Sequence, residues 1–139
     1  MTRITQKAFI QDDPLSAAVI RQMGGWQSFT ESAQDIARHG VDGGFHGFIY
    51  YTETIKFARK NLPAIRSALD ELGDDMGSST VQLVKGFKYL KDYSENEIGE
   101  VLYRGKSSNE DAETAVLNSL AWYAAERAAL AYVDRFDNP

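Results

Sequence analysis

The sequence of 139 residues contains no cysteine. This excludes a disulfide framework, a thiolate nucleophile, a cysteine-ligated zinc site and an iron–sulfur cluster. A chain of this length buries roughly two-thirds of its unfolded surface, so it needs neither a disulfide nor a metal to hold a hydrophobic core. Its composition, 43% hydrophobic and 25% charged, is typical of a folded globular protein. We therefore expect one globular domain over residues 1–139.

The sequence also lacks a long apolar run without charges. Its N-terminal stretch has no apolar region of the kind found in secretory signals. The most apolar segment, residues 115–133, approaches the length of a membrane span, but Glu126 and Arg127 interrupt its centre. Because a charge at mid-bilayer costs a few kcal/mol, a buried core helix is the better interpretation. We expect a cytoplasmic protein without a membrane partner.

An overall basic charge is missing as well, since the formal net charge is −5. Proteins that bind nucleic acid usually carry a basic face, because contacts to phosphates supply most of their non-specific affinity. Here the basic side chains concentrate in one stretch that follows two tyrosines: Tyr50, Tyr51, Lys56, Arg59, Lys60 and Arg66. Such a patch keeps nucleic acid open as an alternative ligand. A solvated helix face explains the same pattern more simply.

Recognisable catalytic and nucleotide-binding motifs are absent. The run GVDGGFHG at 40–47 matches neither the dinucleotide-binding fingerprint nor the P-loop, and no GxSxG elbow occurs. His39, Asp42 and His46 do not have a standard metal-ligand spacing. We therefore expect no catalytic residue, no metal and no cofactor. A small hydrolase with an unrecognised histidine or carboxylate site is a third alternative.

Capping signals separate apolar stripes of helical spacing, which predicts about six helices. The expected caps or first residues are Asp13, Ser28, Thr52, Asn61, Ser78 or Ser79, and Ser94. Ser28 and Ser94 are each followed three residues later by a glutamate, which is the capping-box pattern. One apolar stripe, ending at Leu72, is expected to stop at Gly73.

The strongest helix signal lies at the C-terminus, where residues 107–136 contain almost no helix breaker. A face of small and apolar residues predicts close contact with another helix: Leu117, Leu120, Ala121, Ala124, Ala128 and Ala131. A second face carries Trp122, whose indole N–H requires a partner when buried. Core packing is the simpler role for Trp122, and an interaction surface is the alternative.

The glycine-aromatic run predicts a tight turn followed by a short β element at 45–51, which could pair with residues 3–10. Four aromatics crowd this run, namely Phe45, Phe48, Tyr50 and Tyr51. One short segment cannot bury all four, so we expect part of this surface to bind a partner. The predicted fold is mainly α: a single-domain bundle of about six helices around an Ala-rich C-terminal helix, with a minor short β element.

Five segments of the chain resemble a family of small, uncharacterised accessory proteins of phages and mobile elements. They are DGGFHGFIYYTETIKFARKN, LDELGDDMG, VKGFKYL, SENEIGEVLYRG and NSLAWYAAERAALAYVDR, which together span roughly residues 40–134. The glycine-aromatic stretch is also similar to one in plasmid anti-restriction proteins of the ArdB/KlcA type. The resemblance implies an accessory protein that acts inside a host bacterial cell.

Together these observations favour a non-enzymatic interaction protein that binds a host or phage protein, for example to inhibit a bacterial defence system in an anti-CRISPR or anti-restriction role. The candidate binding residues are Phe45, Phe48, Tyr50, Tyr51, Lys56, Arg59, Lys60 and Trp122. The alternative is a nucleic-acid-binding accessory protein that uses the Tyr/Lys/Arg patch. A homodimer through the aromatic segment or the Ala-rich face is a further alternative.

Overall fold

The computed structural model of the chain describes residues 5–41, 45, 47–49 and 51–137. These residues form eight α-helices and no strand, so the chain is a small all-helical domain and the predicted fold class is confirmed. The helices are α1 (Gln6–Ile10), α2 (Pro14–Gln22), α3 (Trp26–His39), α4 (Tyr51–Lys60), α5 (Leu62–Met76), α6 (Thr80–Lys85), α7 (Glu95–Arg104) and α8 (Glu110–Asp137). Two compact units share them: unit 1 (Met1–Thr54 and Trp122–Pro139) and unit 2 (Ile55–Ala121).

The predicted β element is not seen among the described residues. Thr5 caps α1 by accepting a hydrogen bond from the Ala8 backbone N–H at 3.2 Å, so the alternating residues that suggested a strand at 3–10 form a helix from Gln6 onward. Gly47 to Ile49 form a turn and a bend, and Tyr51 begins α4. His46 and Tyr50 lie outside the described residues. The alternation was misleading because a five-residue helix is too short to show its own period.

Local caps set the helix starts of unit 1. Asp13 accepts a hydrogen bond from the Ser16 backbone N–H at 3.1 Å, and α2 begins with a proline, as predicted. The start of α3 was predicted wrongly. Gly25 is its N-cap, without a side-chain cap, and Ser28 lies inside the first turn. Gly25 has a φ of 119°, which lets the chain turn into α3 earlier than the serine suggested.

An aromatic cluster organises unit 1. Phe9, Trp26, Phe29 and Tyr132 lie in mutual contact, with all six centroid distances between 5.6 and 5.9 Å. Three of the pairs are edge-to-face, an arrangement that complements the ring quadrupoles. The guanidinium of Arg135 lies 5.8 Å from the centroid of Phe9. The cluster therefore fastens the short α1 to α3 and to the end of α8.

The charged residues that interrupt the apolar run of α8 also stabilise unit 1. The Arg127 guanidinium forms an ion pair with Asp13 at 3.1 Å. The Glu126 carboxylate accepts a hydrogen bond from the Val41 backbone N–H at 3.2 Å, just after α3 ends. These contacts explain why two charges occur in the middle of an otherwise apolar helix.

The break predicted from Pro63 lies at Asn61, between the end of α4 at Lys60 and the start of α5 at Leu62, and Pro63 is the second residue of α5. The prediction that α5 stops at Gly73 was wrong, because the helix continues to Met76 and Gly77 adopts the left-handed C-cap conformation. Gly73 is buried, and a Cβ there would lie 2.5 Å from the Ser78 carbonyl oxygen. This glycine allows the chain that leaves α5 to return closely over the helix.

Capping boxes begin the next two helices of unit 2. Ser79 pairs reciprocally with Gln82 at the start of α6, and Ser94 with Glu97 at the start of α7. α6 packs against both α5 and α7. The buried apolar side chains of α7 all lie on one side of this helix: Ile98, Val101 and Leu102.

Most of the predicted small-residue face of α8 is buried. Leu117, Leu120 and Ala121 are buried in unit 2, Ala124 and Ala128 are buried in unit 1, and Ala131 is exposed. Thr52, expected to cap α4, lies within that helix because Tyr51 is already its first residue. Among the described residues, no helix is both long and apolar enough to cross a bilayer.

Candidate functional site

The best-defined candidate surface is the turn that leads into α4 in unit 1. Gly47 has a φ of 89°, and a Cβ on it would lie 2.1 Å from the Gln22 carbonyl oxygen, so the position accepts only glycine. The Gln22 side-chain amide donates a hydrogen bond to the Gly47 carbonyl at 2.7 Å. The Phe48 backbone N–H donates to the Phe45 carbonyl at 2.9 Å. These contacts fix the backbone of the turn against the end of α2.

Ile49 lies at the end of this turn and Tyr51 is the first residue of α4, and both side chains are exposed. Ile49 is 55% exposed and Tyr51 is 64% exposed, whereas Phe48 between Gly47 and Ile49 is buried. Exposed side chains next to a held backbone differ from isolated surface residues, because hydrogen bonds already fix the neighbouring Gly47 and Phe48. We call Ile49 and Tyr51 the exposed pair.

The structure separates the aromatic residues that the sequence had grouped together. Tyr51 is on the surface, Phe45 is half-buried and Phe48 belongs to the core of unit 1. Phe48 is therefore not available at the surface as a binding residue, because the turn directs its ring inward. Tyr50 lies outside the described residues.

The basic residues of α4 are not equivalent. In unit 2, Arg59 forms an ion pair with Glu113 at 2.8 Å and donates to the Gly105 carbonyl at 3.3 Å, which gives this arginine a structural role. Lys56 and Lys60 are exposed and lie on one side of α4, four residues apart. At 100° per residue, Tyr51 points roughly 140° from Lys56 and roughly 180° from Lys60 around the helix. The aromatic and basic side chains therefore do not share a face of α4.

Trp122 is half-buried in unit 1, and its indole N–H is buried without a hydrogen-bond partner in the part of the chain that the structure describes. A buried unpaired donor is unfavourable, since it gives up its hydrogen bond to water. This placement makes Trp122 a packing residue with an unsatisfied donor. Trp122 is therefore not an exposed binding residue like Ile49 and Tyr51.

A second surface lies in unit 2 on the side of α7 that faces away from its apolar residues. Six residues of this helix line an open groove of about 500 Å³: Glu95, Asn96, Gly99, Glu100, Tyr103 and Arg104. We call these six residues the α7 face. Tyr103 is 61% exposed, and the Arg66 guanidinium lies 5.5 Å from its ring centroid. Arg66 also donates to the Leu102 carbonyl, so its position beside the tyrosine is fixed.

The pKa of one carboxylate in α7 is perturbed. The Ser94 backbone N–H donates to Glu97 at 2.9 Å and the Asn109 amide donates at 2.6 Å, which lowers the pKa of this carboxyl below its ordinary value. Both donors stabilise the ionised form. Glu97 is thus a capping residue whose ionisation is coupled to local structure.

No group of three metal-binding side chains occurs within the described ranges. Of the three residues considered for such a role, His39 is exposed at the end of α3, while Asp42 and His46 lie outside those ranges. The exposed pair and the α7 face are surfaces suited to contact with another molecule.

Comparison with known proteins places the chain in a family. Residues 8–138 match the family described as Domain of unknown function (DUF7222). The chain belongs to the DUF7222 family. No curated protein and no solved structure matches this DUF7222 chain. The match covers every described helix except the first two residues of α1, so both surfaces lie within the family region.

Sequence reasoning had missed the α7 face of this DUF7222 protein. The capping box at Ser94 identified the helix, but no pattern in the sequence marked the polar residues on its outer side as a candidate surface. The available signal was Gly99, a helix-disfavouring residue in the interior of a ten-residue helix.

Proposed function

We propose that this protein works by binding another protein, and that the exposed pair Ile49 and Tyr51 is the primary contact. The observation that supports this proposal is the pair's placement where the turn held by Gly47 and Gln22 leads into α4. Little conformational entropy remains to be lost from this backbone when a partner binds. Tyrosine is also enriched at the energetic centres of protein interfaces.

A protein partner fits this surface better than a nucleic acid does. The net charge is −5, and Arg59, the central arginine of the basic stretch, already pairs with Glu113. Tyr51 and the exposed lysines of α4 point in different directions, so they cannot stack a base and neutralise its phosphate on one face. Nucleic acid binding through Lys56 and Lys60 is therefore an outcome for the test to distinguish.

We further propose that the partner is a bacterial or phage protein inside the host cell, in the setting of anti-CRISPR or anti-restriction activity. The support for this setting is the resemblance of five sequence segments to accessory proteins of phages and mobile elements. The proposed action is non-catalytic inhibition, in which the exposed pair occupies a surface that the target needs for its own function.

Capture of a defined partner tests the proposal. Purified protein is immobilised and incubated with bacterial lysate, and retained proteins are quantified for the wild type and for Ile49→Ser, Tyr51→Ala and Tyr89→Ala. Tyr89 is 57% exposed, lies in unit 2 and provides the matched control. We expect one partner in stoichiometric amount with the wild type and the control, reduced at least tenfold in the two other variants.

Two results would contradict the proposal. One is equal retention by wild type and Tyr51→Ala when both have the same circular dichroism spectrum. The other is capture of nucleic acid alone, with an affinity that falls steeply between 50 mM and 200 mM salt as phosphate contacts require. In the second case the Lys56→Glu variant would lose binding and Tyr51→Ala would retain it.

A further inference from the structure

We propose that the exposed side of the second half of α5, in unit 2, is a docking surface for a basic amphipathic helix of a partner protein. The surface consists of Glu71, Leu72, Asp75 and Met76, which we call the α5 face. It shares no residue with the exposed pair, so the inference goes beyond the function proposed above. Its support comes from an apolar seam that unit 2 covers only in part and from a row of carboxylates beside that seam.

The apolar side chains of α5 follow a heptad spacing along the whole helix. Their positions alternate steps of three and four residues: Leu62, Ile65, Leu69, Leu72 and Met76. This is the spacing of a seam that packs lengthwise against another helix. Unit 2 buries the first three of these side chains, whereas Leu72 is 36% exposed and Met76 is 62% exposed. The last part of the seam is therefore presented to solvent.

Two carboxylates run beside the uncovered part of the seam. Glu71 and Asp75 are exposed, and each precedes one of the exposed apolar side chains. At 100° per residue, each lies about 100° around the helix from the apolar residue that follows it, on the same side. Glu71 and Asp75 are four residues apart, so their Cβ atoms lie about 5–6 Å from each other on neighbouring turns. The α5 face is thus an apolar row bordered by an acidic row.

The fold of unit 2 does not account for this acidic row. Like charges four residues apart destabilise a helix, and carboxylates near a helix C-terminus oppose the helix dipole. The last turn of α5 contains Asp74 and Asp75 but no basic residue. Neither Glu71 nor Asp75 forms an ion pair with any other residue that the structure describes. These carboxylates carry a local cost, and a cationic partner would offset it.

The arrangement of the charges indicates the chemistry of the partner. Across the described part of the chain, no three acidic or histidine side chains are grouped so that they could hold a metal ion. Two carboxylates one turn apart instead match two lysine or arginine side chains one turn apart on a second helix. In paired helices, charged residues that flank the apolar seam select the partner in this way. The α5 face therefore fits a helix with apolar residues at heptad spacing and basic residues beside them.

Met76 suits such a contact. Its unbranched side chain and polarisable thioether adapt to apolar side chains of different shape, which is why methionine is common on surfaces that bind amphipathic helices. Because it is the more exposed of the two apolar residues, it is also the better reporter of binding.

The small size of the α5 face sets the expected affinity. Six residues of helix span about 9 Å, which is short for an interface that normally buries about 800 Å² on each partner. We therefore expect a dissociation constant of about 10–100 μM at about 50 mM salt. Affinity should fall severalfold at about 300 mM salt, because the Debye length shortens and screens the exposed carboxylates.

A synthetic peptide provides the test. The probe is a fluorescently labelled helix of about 14 residues, two heptads, with leucine at the seam positions and lysine elsewhere. Its binding to the full-length protein is followed by fluorescence anisotropy. A peptide of the same composition in scrambled order keeps the charge but loses the apolar face, and we expect it to bind at least tenfold more weakly.

Matched variants separate the α5 face from general charge attraction. Glu71→Gln/Asp75→Gln should weaken binding of the leucine-lysine peptide at least fivefold. Glu110→Gln/Asp111→Gln removes two exposed carboxylates at the start of α8 and should leave binding within twofold of the wild type. Met76→Ser should also weaken binding at least fivefold. Tyr51→Ala should bind the peptide like the wild type, which separates this inference from the function assigned to the exposed pair.

Methyl NMR of the methionines locates the peptide. The Met76 methyl resonance, assigned with Met76→Leu, should shift on titration, while that of Met23, which is 0% exposed, should stay in place. The proposal is overturned if Met76 does not shift, if the scrambled peptide binds as tightly, or if the two double variants bind alike. It is also overturned if the Met76 resonance moves with protein concentration alone, because a second copy of the chain would then be the occupant.

Discussion

Replacing Gly47 with alanine should destabilise unit 1 far more than the same replacement at another glycine with positive φ. The change affects two features of the turn before α4 at once. The backbone at Gly47 has a φ of 89°, which L-residues adopt at a cost of about 1–2 kcal/mol. The new Cβ would also lie 2.1 Å from the carbonyl oxygen of Gln22 and 2.7 Å from its carbonyl carbon. Both are backbone atoms, so no side-chain rotation can relieve the overlap.

The expected magnitude follows from these contacts. Forcing apart two backbone segments in a well-packed region costs about 1–3 kcal/mol. The hydrogen bond from the Gln22 amide to the Gly47 carbonyl contributes about 1 kcal/mol and is weakened by the same displacement. We expect Gly47→Ala to lower the free energy of unfolding by about 3–5 kcal/mol.

Gly77→Ala is the matched control. Gly77 has a φ of 70° at the end of α5, but a Cβ there would meet no atom within 4 Å. Only the cost of the positive φ applies, so we expect Gly77→Ala to lower the free energy of unfolding by about 1 kcal/mol. Urea denaturation followed by circular dichroism measures both variants under the same conditions.

The difference between the two variants isolates the close approach of Gly47 to Gln22. If Gly47→Ala is no more destabilising than Gly77→Ala, the turn is not held against α2 in the way that the geometry indicates. Ile49 and Tyr51 would then not lie beside a fixed backbone. A destabilised but folded Gly47→Ala protein should also capture less partner, because Ile49 and Tyr51 move with the turn.

Three further predictions concern stability. Gly99→Ala should raise the free energy of unfolding by about 0.5–1 kcal/mol, measured by urea denaturation of dilute protein, and destabilisation would show that a Cβ does not fit beside Val81. Asn118→Leu should stabilise the protein by about 1–2 kcal/mol, because Asn118 is 5% exposed and its Oδ1 has no partner among the described residues; a Tm below that of the wild type would contradict this. The folded-state pKa of Glu97 is lowered from about 4.5, so its contribution to stability is present above that pH and lost as the pH falls through the folded-state pKa. The stability advantage of wild type over Glu97→Gln should therefore shrink on acidification from pH 7 to 3, and a constant difference would contradict the coupling.

Local signals predicted the helix starts that depend on nearby residues. Asp13 and Ser94 cap their helices as expected, because the donor and acceptor lie within three residues of each other. Ser28 has the same pattern, yet Gly25 begins α3 first. A capping box favours a helix start at its serine but does not require it. Here Gly25, with a φ of 119°, allows α3 to begin earlier.

Features that depend on how the folded chain returns on itself could not be derived from the sequence. Gly73 was expected to end α5. The close approach of the Ser78 carbonyl instead explains why a glycine occupies this position. Contact between Phe9 and Tyr132 joins residues more than a hundred positions apart, for which no local pattern exists. Likewise Phe48 and Ile49 were adjacent in an aromatic-rich run, and only the turn determined which one faces the core.

Unit 1 is built from two separate stretches of the chain, and this affects how it folds during translation. Its residues come from the two ends of the chain, Met1–Thr54 and Trp122–Pro139, whereas unit 2 is one continuous stretch. During translation Phe9 and Trp26 emerge from the ribosome early, long before the ring of Tyr132 that contacts both of them. The nascent chain therefore exposes these aromatic rings until Tyr132 has been translated, while the middle segment is free to assemble first. Truncated or stalled products of this chain should be the species that chaperones retain.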